Sequence, residues 1–223
     1  MTGVFVTGTG TEVGKTVVAA VLAHTLTTQG RRVAVFKPAV TGLDEGGEAD
    51  HELLRRAAES GQSDEEIAPY RYGPPASPHL AAAMAGEEIE PGRLLEAARA
   101  AAAGAEALVC EGVGGLMVPL APGYLVRDLA ADLGYPLVVV ASPGLGTINH
   151  TLLTIESARA AGLEIAAVVL TPWPGQPTPV ERSNLETIAR LGEVEVQALP
   201  PLDLAAPATW PTLTLSMGQF PKM

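Results

Sequence analysis

The stretch VFVTGTGTEVGKTVVAAVLAHTL, Val4 to Leu26, decides how the chain is read. A β-branched apolar segment runs into a glycine- and threonine-rich loop, then Lys15-Thr16, then Ala, Val and Leu at helical density. A loop that cradles phosphate turns its backbone N–H groups inward, which calls for glycine where φ is positive or space is tight. The helix behind it adds the positive end of its dipole. Within GTGTEVGKT, Gly8 to Thr16, Lys15 can reach β- and γ-phosphates and Thr16 can ligate Mg2+. Counted from Gly8, the spacing is one residue longer than the usual G-x-x-x-x-G-K-[ST]. The strand before and the helix after supply the context that such a loop needs.

Beyond this stretch, apolar runs alternate with helical ones. Val33–Phe36, Leu108–Cys110, Leu137–Ala141, Ile165–Leu170 and Val194–Gln197 read as strands. Thr16–Gln29, Asp50–Ser60, Pro91–Ala103, Val126–Leu133, Thr147–Ala161 and Val180–Leu191 read as helices, several of them stopped by a following glycine. Continuous apolar strands between helices predict a parallel sheet covered on both faces. The expected fold is therefore α/β, a three-layer Rossmann-like arrangement of the phosphate-loop NTPase kind. One domain over residues 1–223 is expected, with an irregular tail from about 203.

The 223 residues are 47% hydrophobic, enough for a sizeable core, and carry a formal net charge of −11. Lys and Arg do not cluster, which argues against a nucleic-acid surface. No apolar run reaches the roughly 18–20 residues of a membrane helix, so no membrane association is expected. No basic segment precedes an apolar one at the start, and the single cysteine, Cys110, has no internal partner. A cytoplasmic location is the expectation.

Three further segments carry chemistry. In FKPAVTG, Phe36 to Gly42, Lys37 follows a strand, at the edge where open α/β sheets place ligands. In LVCEGVGGL, Leu108 to Leu116, an apolar strand ends in Glu111, which can hold Mg2+ directly or through water. The glycines behind it allow a ligand close to the backbone. GLGTINHTLLT, Gly144 to Thr154, opens a helix whose free N–H groups suit an anion such as a carboxylate. Simple N-capping by Thr147 or Asn149 fits that segment equally well. Asp50 is either an N-cap or a metal ligand. Cys110 reads as core, and Trp173 as a ligand neighbour or a cover for apolar surface. The four histidines lack metal-ligand spacing.

Together GTGTEVGKT, KPAVTG, PASPHLAA, EGVGGLMVPL and GTINHTLLT, in this order, resemble the signatures of dethiobiotin synthetases from Thr2 to about Leu202. The resemblance implies an ATP-dependent cyclo-ligase that carboxylates 7,8-diaminononanoate with CO2 and closes the ureido ring, releasing ADP and phosphate. It implies that Lys37 and Lys15 are catalytic. Glu12, Val13, Gly14, Lys15, Thr16 and Val17 would cradle the phosphates, with Gly112, Val113 and Gly114 nearby. Thr16, Asp50 and Glu111 would hold Mg2+. Lys37, Thr41, Gly146, Thr147, Ile148 and Asn149 would bind the substrate, the last four from the neighbouring subunit of a homodimer. Thr171, Pro172, Pro200, Pro201 and Leu202 fall at the base-reading positions. There the pattern departs from many relatives, which carry an asparagine. Threonine offers one hydroxyl instead of a paired donor and acceptor, and proline no N–H. The base would then be read loosely, and other nucleoside triphosphates could serve.

Two other readings compete. ATPases that partition DNA share the strand–loop–Lys–Thr opening but carry an extra lysine early in the loop, where this chain has Gly10. They often end in a basic amphipathic helix, which TLTLSMGQFPKM does not resemble. A nucleotide-dependent switch without small-molecule chemistry would leave KPAVTG and GTINHTLLT without a role.

Overall fold

The computed structural model describes residues 2–215. Strand β1 (Thr2–Gly8) leads through the glycine-rich loop into α1 (Lys15–Thr28) and then β2 (Val33–Phe36). Helices α2 (Asp50–Ala57), α3 (Asp64–Ile67), α4 (Pro78–Ala85) and α5 (Pro91–Ala102) precede β3 (Ala107–Gly115). A small antiparallel hairpin, β4 (Pro119–Ala121) with β5 (Tyr124–Leu125), runs into α6 (Val126–Leu133). The chain closes with β6 (Leu137–Ala141), α7 (Thr147–Ala160), β7 (Ile165–Leu170), α8 (Pro179–Gly192) and β8 (Val196–Ala198).

The main sheet has the order β2-β3-β1-β6-β7-β8 with every pairing parallel. Period-2 alternation sends successive side chains to opposite faces. Val4, Val6, Val109, Val138 and Val140 pack with Val18, Val21 and Leu22 of α1 and Leu54 of α2. Phe5, Phe36, Leu108, Cys110 and Leu137 pack on the other face with Leu94 of α5 and Leu129 of α6. A third cluster joins Val139, Val168 and Leu170 to Ile155 of α7 and Ile188 of α8. Both faces are covered, so the strands read as unbroken apolar runs.

Several expectations are corrected. The last strand is Val196–Ala198 rather than Val194–Gln197. Strand β3 does not end at Glu111: Val6 pairs with Glu111 and Gly8 with Gly115, so the acid lies inside the strand. Helices α3 and α4 and the β4–β5 hairpin were not anticipated. The tail past 203 is irregular apart from a short 3-10 turn at Pro207–Thr209, yet it packs. Trp210 and Leu213 join the cluster over α1, and the Trp210 indole N–H donates to the carbonyl of Asp203 at 2.8 Å. The rest of that expected tail, 216–223, lies outside the described residues.

Candidate active site

The loop between β1 and α1 is held by backbone conformations that only its sequence allows. Gly14, the N-cap of α1, has φ +92°, and a Cβ there would lie 2.6 Å from Cγ2 of Thr171. Glu12 also takes a positive φ, 59°. The Lys15 ammonium folds back to donate to the Gly10 carbonyl at 2.7 Å. Burial lowers the Lys15 pKa; the Lys37 charge adds to that, and the Glu111 and Asp50 carboxylates oppose it.

Lys37 arrives at the site because its strand is the sheet edge and that edge is covered. Residues 62–72 run beside it. The Gln62 side-chain amide accepts from Val35 N–H at 2.9 Å and donates to Val35 C=O at 3.0 Å, as a neighbouring strand would. Lys37 N–H donates to Ile67 C=O, and Val40 N–H to Tyr70 C=O. Lys37 is 3% exposed. Its Nζ lies 2.5 Å from Asp50 Oδ2 and 2.7 Å from Glu111 Oε1. Burial alone would lower its pKa; the two carboxylates override that and hold the amine above its ordinary range.

Asp50 is the first residue of α2, with Ala49 as N-cap, so the N-cap reading of Asp50 is set aside. Thr16 Oγ1 lies 2.9 Å from both Asp50 Oδ1 and Glu111 Oε1. A hydroxyl has one proton, so it donates to one carboxylate at a time. Burial would raise the Asp50 pKa, but Lys37 and the Thr16 hydrogen bond bring it below the usual carboxylate range. Glu111, fully buried, is pushed up by burial and by the Asp50 charge, against Lys37.

These side chains line a cavity of about 420 Å3 together with Thr11, Glu12, Gly14, Val17, Ala39, Thr41, Val113 and Gly114. Thr11 and Ala39 were not anticipated, although both sit inside the quoted motifs. Val13 and Gly112 do not line this cavity. Val13 packs against the core, and a Cβ on Gly112 would lie 3.0 Å from both Phe5 and Val126, on the opposite face of β3.

Thr16, Asp50 and Glu111 offer only hard oxygen donors, and Oε2 of Glu111 is buried with no hydrogen-bond partner. Among the described residues no group of three or more His, Cys, Asp or Glu could hold a metal by itself. Two carboxylates and a hydroxyl fit Mg2+, which keeps several positions for phosphates and water.

Thr171 and Pro172 follow β7, joined by a cis peptide bond, and Trp173 N–H donates to Leu199 C=O, which brings Pro200, Pro201 and Leu202 beside them. Thr171 is 3% exposed with its methyl against Gly14. Trp173 is half-buried against the α7–α8 cluster. Cys110 is fully buried and its thiol pKa is pushed up by burial. Gly146, Thr147, Ile148 and Asn149 do not line that cavity of their own chain. Gly146 is the N-cap of α7, and neither Thr147 nor Asn149 caps it by side chain. Sequence reasoning missed Asn184, a buried amide of α8 that donates to Pro143 C=O at 2.9 Å and Gly144 C=O at 3.1 Å.

Among the described residues no helix is long and apolar enough to cross a membrane. A family described as an AAA domain matches residues 2–209. The chain is 45% identical over 201 residues to an ATP-dependent dethiobiotin synthetase of Anaeromyxobacter dehalogenans, covering 90% of each. It is 37% identical over 202 residues to the one of Bacillus subtilis, covering 90% of this chain and 87% of that one. Among solved structures, an Archaeoglobus fulgidus nucleotide-binding protein in complex with ADP shares the fold at TM-score 0.54 and 17% identity, over 93% of this chain and 85% of that one.

Proposed function

The chain belongs to the ATP-dependent dethiobiotin synthetase family of biotin biosynthesis, and on that premise we propose how its own residues do the work. The substrates are 7,8-diaminononanoate, CO2 and ATP. One amine attacks CO2 and loses a proton, leaving a carbamate. A carbamate oxygen attacks the γ-phosphorus and ADP leaves, forming a carbamic-phosphoric anhydride. The second amine attacks the carbonyl carbon, phosphate leaves, and the ring closes with loss of a proton. The substrate brings its own nucleophiles, so the protein's task is alignment and neutralisation of charge.

The observation that carries this reading is the convergence of Lys15, Thr16, Lys37, Asp50 and Glu111 on one cavity. Lys15 binds the β- and γ-phosphates, and the loop 12–17 wraps them with backbone N–H groups. Lys37 contacts carbamate and γ-phosphate together, and Thr41, on the same wall, orients the diamine. Mg2+, held by Thr16, Asp50 and Glu111, supplies further positive charge on the phosphates when bound. Residues 171–172 and 200–202 flank the base. Their weak hydrogen-bonding capacity supports use of other nucleoside triphosphates beside ATP.

The substrate's distal carboxylate binds at the N-terminus of α7 of a second subunit in a homodimer. The separation of 146–149 from their own chain's cavity supports this. A cytoplasmic location follows from the substrates.

The test is phosphate release with Mg2+, bicarbonate and ATP, with and without 7,8-diaminononanoate, repeated with CTP and GTP. Release that needs the diamine, yields dethiobiotin and falls at least about a hundredfold in Lys37→Ala is expected, from loss of a charge aimed at the reacting groups. Diamine-independent release would leave only a nucleotide hydrolase. A preference for ATP above about a hundredfold, some 2.7 kcal/mol, would overturn loose base reading.

A further inference from the structure

Lys37 does more in this structure than face the cavity. Its ammonium and the Thr16 hydroxyl converge on the same two carboxylates: they share Glu111 Oε1 and take different oxygens of Asp50. Those carboxylates, with the Thr16 hydroxyl, are the groups assigned above to a metal ion. A Mg–O bond is about 2.0–2.1 Å long, so a metal on Glu111 Oε1 would sit no more than about 5 Å from an ammonium at 2.7 Å from that oxygen. Two cations do not share that oxygen cheaply at such a distance in a buried site. One must leave.

We propose that Lys37 is the resident counter-cation of the metal position: it neutralises Asp50 and Glu111 until a divalent ion arrives with a nucleotide, and the exchange frees its ammonium for substrate. The proposal rests on the synthetase reading only for the identity of that nucleotide.

The charge count gives the order of events. Within the cavity Lys15 and Lys37 offset Asp50 and Glu111, while Glu12 lies exposed on its lining. A divalent ion by itself adds two positive charges there, whereas one carried on a triphosphate arrives with phosphate charges that offset it. The bare ion is therefore opposed and the nucleotide complex is favoured. Lys37 also has a place to go. Its side chain turns about four single bonds, and it lines the same cavity as Lys15 and Thr41. Glu111 Oε2, unpartnered, is available to complete the coordination once the ammonium has moved. Catalytic charge and metal loading are coupled through one oxygen, so Lys37 is released to act only in a site that holds nucleotide and metal together.

The experiment uses Mn2+ with no nucleotide or diamine, the free ion read by electron paramagnetic resonance. Wild type should bind weakly. Lys37→Met should bind at least about tenfold tighter, and Lys37→Met/Glu111→Gln should lose that gain. Removing one partner of a buried ion set can unfold a protein, so Tm is followed as well. Mn2+ should raise the Tm of Lys37→Met by several degrees more than that of wild type. Equal or weaker binding in Lys37→Met overturns the proposal. So does a gain that survives in the double variant, or a Lys37→Met protein that Mn2+ neither binds nor stabilises. No substrate enters these measurements, so diamine-dependent phosphate release stands or falls separately.

Discussion

Asn184 sits on α8, forty residues beyond the turn whose carbonyls it holds, and is 5% exposed. Its amide fixes the approach to the N-terminus of α7, where the substrate's distal carboxylate is proposed to bind. Asn184→Ala should raise KM for the diamine about tenfold while kcat and KM for ATP stay near wild type; a common fall in all three would mark general damage. The Lys37–Asp50 pair gives a pH signature. A carboxyl whose folded pKa lies below its unfolded one contributes stability above the ordinary carboxylate range and loses it as pH falls through the folded value. The urea-midpoint advantage of wild type over Asp50→Asn at pH 7 should therefore shrink below about pH 4. Glu111, pushed the other way mainly by burial, titrates in both proteins, and it is raised less in Asp50→Asn because the Asp50 charge is one of the causes. At this scale Lys15, Thr16 and Lys37 were legible because loop and strand chemistry is local. Asn184 and Gln62 were not, since an amide that bonds distant backbone leaves no local pattern.

Strand β2 shows the same division among elements. Its four apolar residues announce a buried strand, yet it lies at the edge of the sheet. The edge is sealed by Gln62, whose amide takes both hydrogen-bonding groups of Val35. Gln62→Ala should cost about 1–2 kcal/mol, two net hydrogen bonds, measured by urea unfolding. A change under about 0.3 kcal/mol would mean that water replaces the amide freely. Short pieces such as α3 escaped sequence reading because one helical turn has no periodicity to detect. Ser63 starts α3 by accepting from Glu66 N–H, while the Glu66 carboxylate accepts from Ser63 N–H. The extension of β3 past Glu111 was hidden by its glycines, which usually end strands. Here parallel pairing with β1 carries the strand to Gly115, with one register shift on the way.

In the whole molecule, a few large apolar side chains stand exposed on and near α7, among the polar Asn149, Glu156 and Arg159. Leu153 is 56% exposed, Met117 57%, and Leu145 just before the helix 95%. Ser157 Oγ donates to Met117 Sδ at 3.3 Å, which joins the β3–β4 turn to α7. The proposed homodimer would cover these apolar side chains. Sedimentation should give twice the chain mass for wild type and the chain mass for Leu145→Asp/Leu153→Asp, with diamine-dependent activity lost in the latter; a monomeric, fully active wild type would refute the dimer. By itself the sequence determined the α/β class and the strand–loop–helix at its start, and it offered the acids and lysines proposed to serve the site, because each is written in neighbouring residues through period, glycine placement and charge. Only the tertiary structure decided that Lys37 bridges Asp50 and Glu111, that Gly112 does not line the cavity, and that 146–149 lie apart from it. Those facts depend on sheet order and register, which bring Thr16 and Glu111 together across 95 positions, and no local pattern encodes them.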